Sequence, residues 1–143
     1  MDVFNSTVKQ LTTKIKDAQL TSVDLCKTYI QRIKKFEKDI KAWAHFDEKT
    51  LLDKAEESDN HRRSGKPLGL LHGIPVALKD IIGTFDMPTE CGTVLRKGMS
   101  ASQDAEIVDL LKSEGAIIMG KTSTSELAYY SPAKTKNPHD YSR

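Results

Sequence analysis

No stretch of the 143-residue sequence approaches the 18 or so consecutive apolar residues of a membrane-spanning helix. Its longest greasy runs are four or five residues. The N-terminus, Met1-Asp2-Val3-Phe4-Asn5, lacks the basic start and apolar core of a secretory signal. Cysteine is scarce. Cys26 and Cys91 are too few for a disulfide framework or a zinc site, so a reducing cytoplasm is the expected setting. Neither sign of charge dominates, with 22 basic against 20 acidic residues and a net +2. The densest basic run, Arg32-Ile33-Lys34-Lys35, is answered by Glu37 and Asp39, which reads as a solvated helix face rather than a nucleic-acid surface. What remains, 38% hydrophobic and 29% charged, suffices for one core and one domain.

Residues 1–60 read as mainly helical. Phe4, Val8, Leu11 and Ile15 fall on one helical stripe, and Leu25, Tyr29, Ile33 and Phe36 on a second. Thr21 with Asp24 three residues on looks like a capping box. Ile40, Ala42, Ala44 and Phe46 alternate with polar or half-polar neighbours, predicting a short strand, after which Asp47 caps a third helix. The turn formers of 61–69 predict a loop. The apolar run Ile74–Ile82 between Gly73 and Gly83 then predicts a strand buried on both faces. Residues 83–103 read as a long loop, and Asp104 as the cap of a helix with Ile107, Val108, Leu110 and Leu111 inward and Gly115 at its end. Ala116–Met119 predicts a second buried strand. Strand, helix, strand is a crossover unit, so 61–143 reads as α/β with a parallel pair. The tail from Ser131 to Arg143 has no period and ends as if in mid-loop.

Gly115-Ala116-Ile117-Ile118-Met119-Gly120-Lys121-Thr122 matches the phosphate-loop pattern, but a helix precedes its first glycine. Its middle residues are stiff and apolar, so it reads as strand. Lys79 carries more weight. It closes an apolar strand, where burial disfavours the ammonium form and leaves a usable base; the bland alternative is a lysine reaching solvent, paired with Asp80. The four histidines show no ligand spacing, so no metal is expected. Cys91 reads as a small packing residue and Cys26 as buried on the second helix.

The stretch Pro67-Leu68-Gly69-Leu70-Leu71-His72-Gly73-Ile74-Pro75-Val76-Ala77-Leu78-Lys79-Asp80 closely resembles the opening motif of the amidase signature family. The resemblance continues through Met87–Thr93, Asp104-Ala105, Glu114–Thr122 and Glu126-Leu127-Ala128 to Asn137-Pro138 and Arg143. It covers nearly the whole chain, and the block from Leu71 to Lys121 is specific. The resemblance implies a Ser–Ser–Lys amide hydrolase with Lys79 as the catalytic lysine and no cofactor. In such a triad the neutral lysine deprotonates a bridging serine held by a cis peptide, which deprotonates the nucleophilic serine.

In the family both serines lie in later glycine-serine stretches, and Ser123, Ser125, Ser131 and Ser142 all precede those positions. The resemblance therefore implies the N-terminal part, residues 1–143, of a single amidase domain, inactive alone. The fold it implies is α/β: N-terminal helices plus the first strands of an α/β/α sandwich with a mixed central sheet. The expected partner is the C-terminal segment or a complementing chain, with a small-molecule amide as substrate, no membrane and no nucleic acid. The alternative is a non-catalytic structural or regulatory fragment that associates with another chain. Family substrates run from small aliphatic, aryl and fatty amides to the glutamine used in tRNA-dependent amidotransfer. The stretch Glu126–Tyr130 is a candidate pocket wall.

Overall fold

A computed structural model describes residues 3–142. Arg143, the last residue of the resemblance, and Met1-Asp2 lie outside the described residues.

The N-terminal half is a set of capped helices. A 3-10 turn at Val3–Asn5 precedes α1 (Val8–Lys16), where Thr7 and Gln10 form a reciprocal capping box. The predicted stripe is split: Leu11 and Ile15 are buried, whereas Phe4 and Val8, near the chain start, are exposed. α2 (Ser22–Ile40) begins at Thr21 as read, the Thr21 hydroxyl accepting the Asp24 N–H as one half of the expected capping box. Ile40 belongs to this helix rather than to the strand, because Lys41 turns left-handed and ends it. The strand β1 is therefore only Trp43–Phe46. Glu37 does not simply offset the basic run. Its carboxylate accepts the Ala42 and Trp43 N–H groups, while Lys34 pairs with Glu48 and Arg32 stacks over Phe4.

Asp47 caps α3 (Glu48–Arg63) through the Thr50 N–H. This helix runs through the start of the expected loop. The basic His61, Arg62 and Arg63 form its last turn, where cations suit the helix dipole. Beyond it come β2 (Pro75–Lys79), α4 (Glu106–Ser113) and β3 (Ile117–Thr122). Asp104 does not cap α4. Ala105 holds the N-cap position, while the Asp104 carboxylate takes the Phe85 N–H and pairs with Lys112. The helix ends as predicted. Gly115 and Ala116 return their N–H groups to Lys112 and Leu111 in a Schellman pair.

The sheet has the order β1-β3-β2, with β3 central, antiparallel to β1 and parallel to β2. It is a mixed sheet, and the crossover pair is parallel as expected. Ile117 and Met119 pack on Cys26, Ile30, Leu51 and Ala55 of α2 and α3. Ile118 faces the other way, onto Leu78, Met87 and Val108. Helices thus cover both faces of β3, giving the α/β class read from the pattern.

Two burial expectations fail for one reason. On β2 Leu78 is buried on one face, while Ala77 and Lys79, on the other face, are left exposed among the described residues. On α4 only Val108 is fully buried; Ile107 and Leu110 stand half-exposed at 50% and 55% because no described residues cover that flank. Among the described residues no helix is long and apolar enough to cross a membrane.

Candidate active site

The Gly73-Ile74-Pro75 turn launches β2. Gly73 has φ +76°, and a Cβ there would lie 2.2 Å from the Ser22 hydroxyl, so only glycine fits against α2. Ile74 anchors the turn in the core with Leu11, Ile15 and Leu25. Just before it, His72 is buried, its Nε2 within 3.1–3.2 Å of the Ser58 carbonyl and hydroxyl on α3. Burial pulls its protonation below the usual histidine value, against a smaller opposing effect of the Ser58 carbonyl.

Lys79 ends β2 opposite Thr122, so it stands at the carboxyl ends of the two parallel strands. Open α/β sheets bind ligands at such ends. A depression of about 400 Å³ opens beside Asp80, Glu90, Gly92, Thr124 and Glu126, and Lys79 is not among the residues that line it. The Lys79 side chain is exposed, and it does not pair with Asp80. The adjacent Asp80 turns inward, 2% exposed, and faces Lys121.

The low-dielectric surroundings expected for Lys79 belong to Lys121. Its ammonium is fully buried and donates to the Ile82 carbonyl at 2.7 Å and the Thr89 hydroxyl at 2.8 Å. Asp80 Oδ1 lies 3.9 Å away. Burial lowers the lysine's proton affinity, and the Asp80 carboxylate partly restores it. The phosphate-loop look-alike is strand from Ile117 to Thr122, running three residues past the expected Ala116–Met119, and its lysine points into the protein. Sequence reasoning set Lys121 aside with that motif. The apolar run that leads into it marks a strand but does not say which way its lysine points.

The stretch 83–103 is an organised loop, not a featureless one. It holds a 3-10 turn at Val94–Arg96 and a bridge between Pro88 and Ser100. The Glu90, Cys91 and Gly92 N–H groups all turn toward Asp80, at 3.1 Å (Oδ1), 3.0 Å (backbone O) and 3.4 Å (Oδ2). Cys91 and Gly92 are left-handed, at φ +55° and +66°. Successive N–H groups in this conformation form a natural anion cradle, which here holds the protein's own carboxylate. Thr93 reaches across to Glu126 at 2.8 Å and ties the loop to the segment after β3.

Tyr129 and Tyr130 stack edge-to-face but are 84% and 64% exposed, so they wall no pocket among the described residues. His45 is half-buried on β1, while His61 and His139 are exposed. Cys26 is fully buried, and burial, with a smaller push from Asp59, raises its thiol to about 12. Among the described residues no three His, Cys, Asp or Glu side chains gather as around a metal ion.

The amidase family model matches residues 24–143. A glutamyl-tRNA(Gln) amidotransferase subunit from Rhodopirellula baltica is 37% identical over 122 residues, covering 85% of this chain and 24% of the relative. A second such subunit, from Clostridium acetobutylicum, is 36% identical over 149 residues, covering 100% of this chain and 31% of the relative. Among solved structures, the peptide amidase of Stenotrophomonas maltophilia is 32% identical with TM-score 0.89, covering 96% of this chain and 31% of that one. The chain thus spans roughly a quarter to a third of the length of these relatives. With a family match over most of its length and a shared fold, the chain belongs to the amidase family.

Proposed function

We propose that this chain supplies the catalytic lysine, Lys79, of a carboxamide hydrolase built on a Ser–Ser–Lys triad. The observation that carries the reading is the place of Lys79. It closes the strand launched by Gly73-Ile74-Pro75 and stands exposed at the carboxyl edge of the parallel pair, in a chain of the amidase family. The neutral Lys79 Nζ takes a proton from a bridging serine, which takes one from the nucleophilic serine. The nucleophile's oxygen adds to the amide carbonyl, the C–N bond breaks as the departing nitrogen gains a proton, and water releases the acid.

A lysine base needs a dry site to be neutral at working pH, and Lys79 is open to solvent on these residues alone. The segment that brings the two serines therefore also has to cover Lys79. The exposed apolar Val94, which lines the depression beside Asp80, and Leu127, bonded to Cys91, support such a cover. These 143 residues alone are then inactive, and the partner is a serine-bearing segment of the same protein or a complementing chain. Two free cysteines fit a reducing compartment. The peptide amidase relative's name points to peptide amides, and the family resemblance to glutamine, as the first carboxamides to try.

The test is Lys79→Ala in an assembly containing the serine-bearing segment, assayed on glutamine, a peptide amide and an aryl amide. Loss of hydrolysis on every substrate supports the reading. Unchanged hydrolysis makes this chain a non-catalytic structural module instead.

A further inference from the structure

We infer that the Lys121–Asp80 pair is a positioning device: one buried ammonium locks the turn that carries Lys79 and the loop bonded to the neighbouring Asp80. The inference rests on the reading of Lys79 as the triad base. Taking a lysine's charge out of water is unfavourable unless partners compensate it, and Lys121 has such partners.

Lys121 arrives at this place through a bulge. The β2–β3 ladder pairs Val76 with Ile118 and Ala77 with Gly120, skipping Met119. Without the skip Lys121 would share a face with Ile117 and Met119, against α2 and α3. The extra residue moves it to the face of its partner Leu78, which packs with Met87 and Val108. There its donors reach the carbonyl of Ile82 and the hydroxyl of Thr89, seven residues apart at the start of the loop.

Each contact acts on the Lys79 turn or on Asp80 beside it. The Ile82 N–H closes a turn onto the Lys79 carbonyl at 2.9 Å, and Lys121 holds the Ile82 carbonyl on the other side of that residue. Asp80, next to Lys79, is held on its backbone by Thr122 and Cys91 and on its carboxylate by Glu90 and Gly92. Lys121 supplies the opposite charge that lets this carboxylate stay buried. Lys121 itself touches no open space, so it does not act on substrate; it acts through Lys79.

The test compares K121M, K121R and the double variant D80N/K121M in the serine-complemented assembly, with K79A beside them. K121M is expected to lower kcat about 100-fold, the effect of a displacement on the order of 1 Å, with KM nearly unchanged. Removing both charges in D80N/K121M should recover about tenfold, because Asp80 no longer lacks a partner. K121R, which keeps the charge, should retain more activity than K121M. In the 143-residue chain, amide exchange at Glu90 and Gly92 should quicken about tenfold in K121M. A folded K121M with wild-type kcat, beside an inactive K79A, overturns the positioning role and leaves the base intact. Wild-type activity in K79A overturns the base. Unchanged exchange at Glu90 and Gly92 overturns the lock whether or not the assembly hydrolyses an amide.

Discussion

The Asp59 carboxylate accepts the Ser22 backbone N–H at 2.8 Å, joining the end of α3 to the start of α2 across 37 residues. Its second oxygen accepts the Val23 N–H at 3.1 Å. Thr21 takes the Asp24 N–H, so the first three helical donors of α2 are satisfied by two residues far apart in sequence. Asp59 is only 3% exposed. Asp59→Ala leaves buried donors without acceptors and is expected to cost about 3 kcal/mol, with Asp59→Asn costing less. Urea unfolding followed by circular dichroism measures both.

Gly73 tolerates no side chain. Gly73→Ala forces a left-handed φ on alanine and drives its Cβ into the Ser22 hydroxyl, for an expected loss of at least about 2 kcal/mol. The same unfolding experiment should show a midpoint well below that of an alanine at Gly98, where a Cβ meets open space.

Two groups of residues make stability fall with acid in separate windows. His72 has its folded protonation held below the usual 6.5, so the unfolded chain binds the extra proton first. Stability therefore declines as pH falls through 6.5 toward the folded value, and His72→Gln should flatten that limb. For Asp104 the hydrogen bond from Lys112 is the main cause, holding the carboxyl below 3.8. For Asp86 burial opposes ionisation but the Lys54 hydrogen bond and charge outweigh it, again giving a value below 3.8. Their contribution is present above pH 3.8 and is lost only below it. Thermal melts from pH 3 to 8 should show both declines.

The two thiols should react at very different rates. Cys26 is fully buried with its thiol pushed up to about 12, whereas Cys91 is partly open in the loop. At pH 8 an alkylating reagent should label one thiol of the native chain quickly, and Cys91→Ser should abolish that phase. Labelling of both at one rate would mean that the α2 core opens readily.

Much of the fold was legible because its signals are local. The caps at Thr21 and Asp47 and the glycine end of α4 depend on residues within one helical turn, so spacing alone locates them. The buried strand Ile117–Met119 stood out as a short apolar run, which also dismissed the phosphate-loop match. Asp104 misled because a residue competent to cap was claimed instead by Lys112 and the Phe85 N–H, neither of them close in sequence. Burial of β2 and α4 was over-read, since an apolar face looks the same in sequence whether or not a neighbour covers it.

The candidate site divides in the same way. By itself the sequence determined the Gly73-Ile74-Pro75…Lys79-Asp80 motif, the family and the candidate base, because these rest on residue identity at fixed spacing. Only the tertiary structure decided which lysine is buried. Alternation along a strand assigns faces two residues at a time, and one skipped residue, Met119, reverses every assignment after it. That reversal turns Lys121 toward Asp80, Ile82 and Thr89, while Lys79, on the opposite face of β2 from Leu78, is exposed among the described residues.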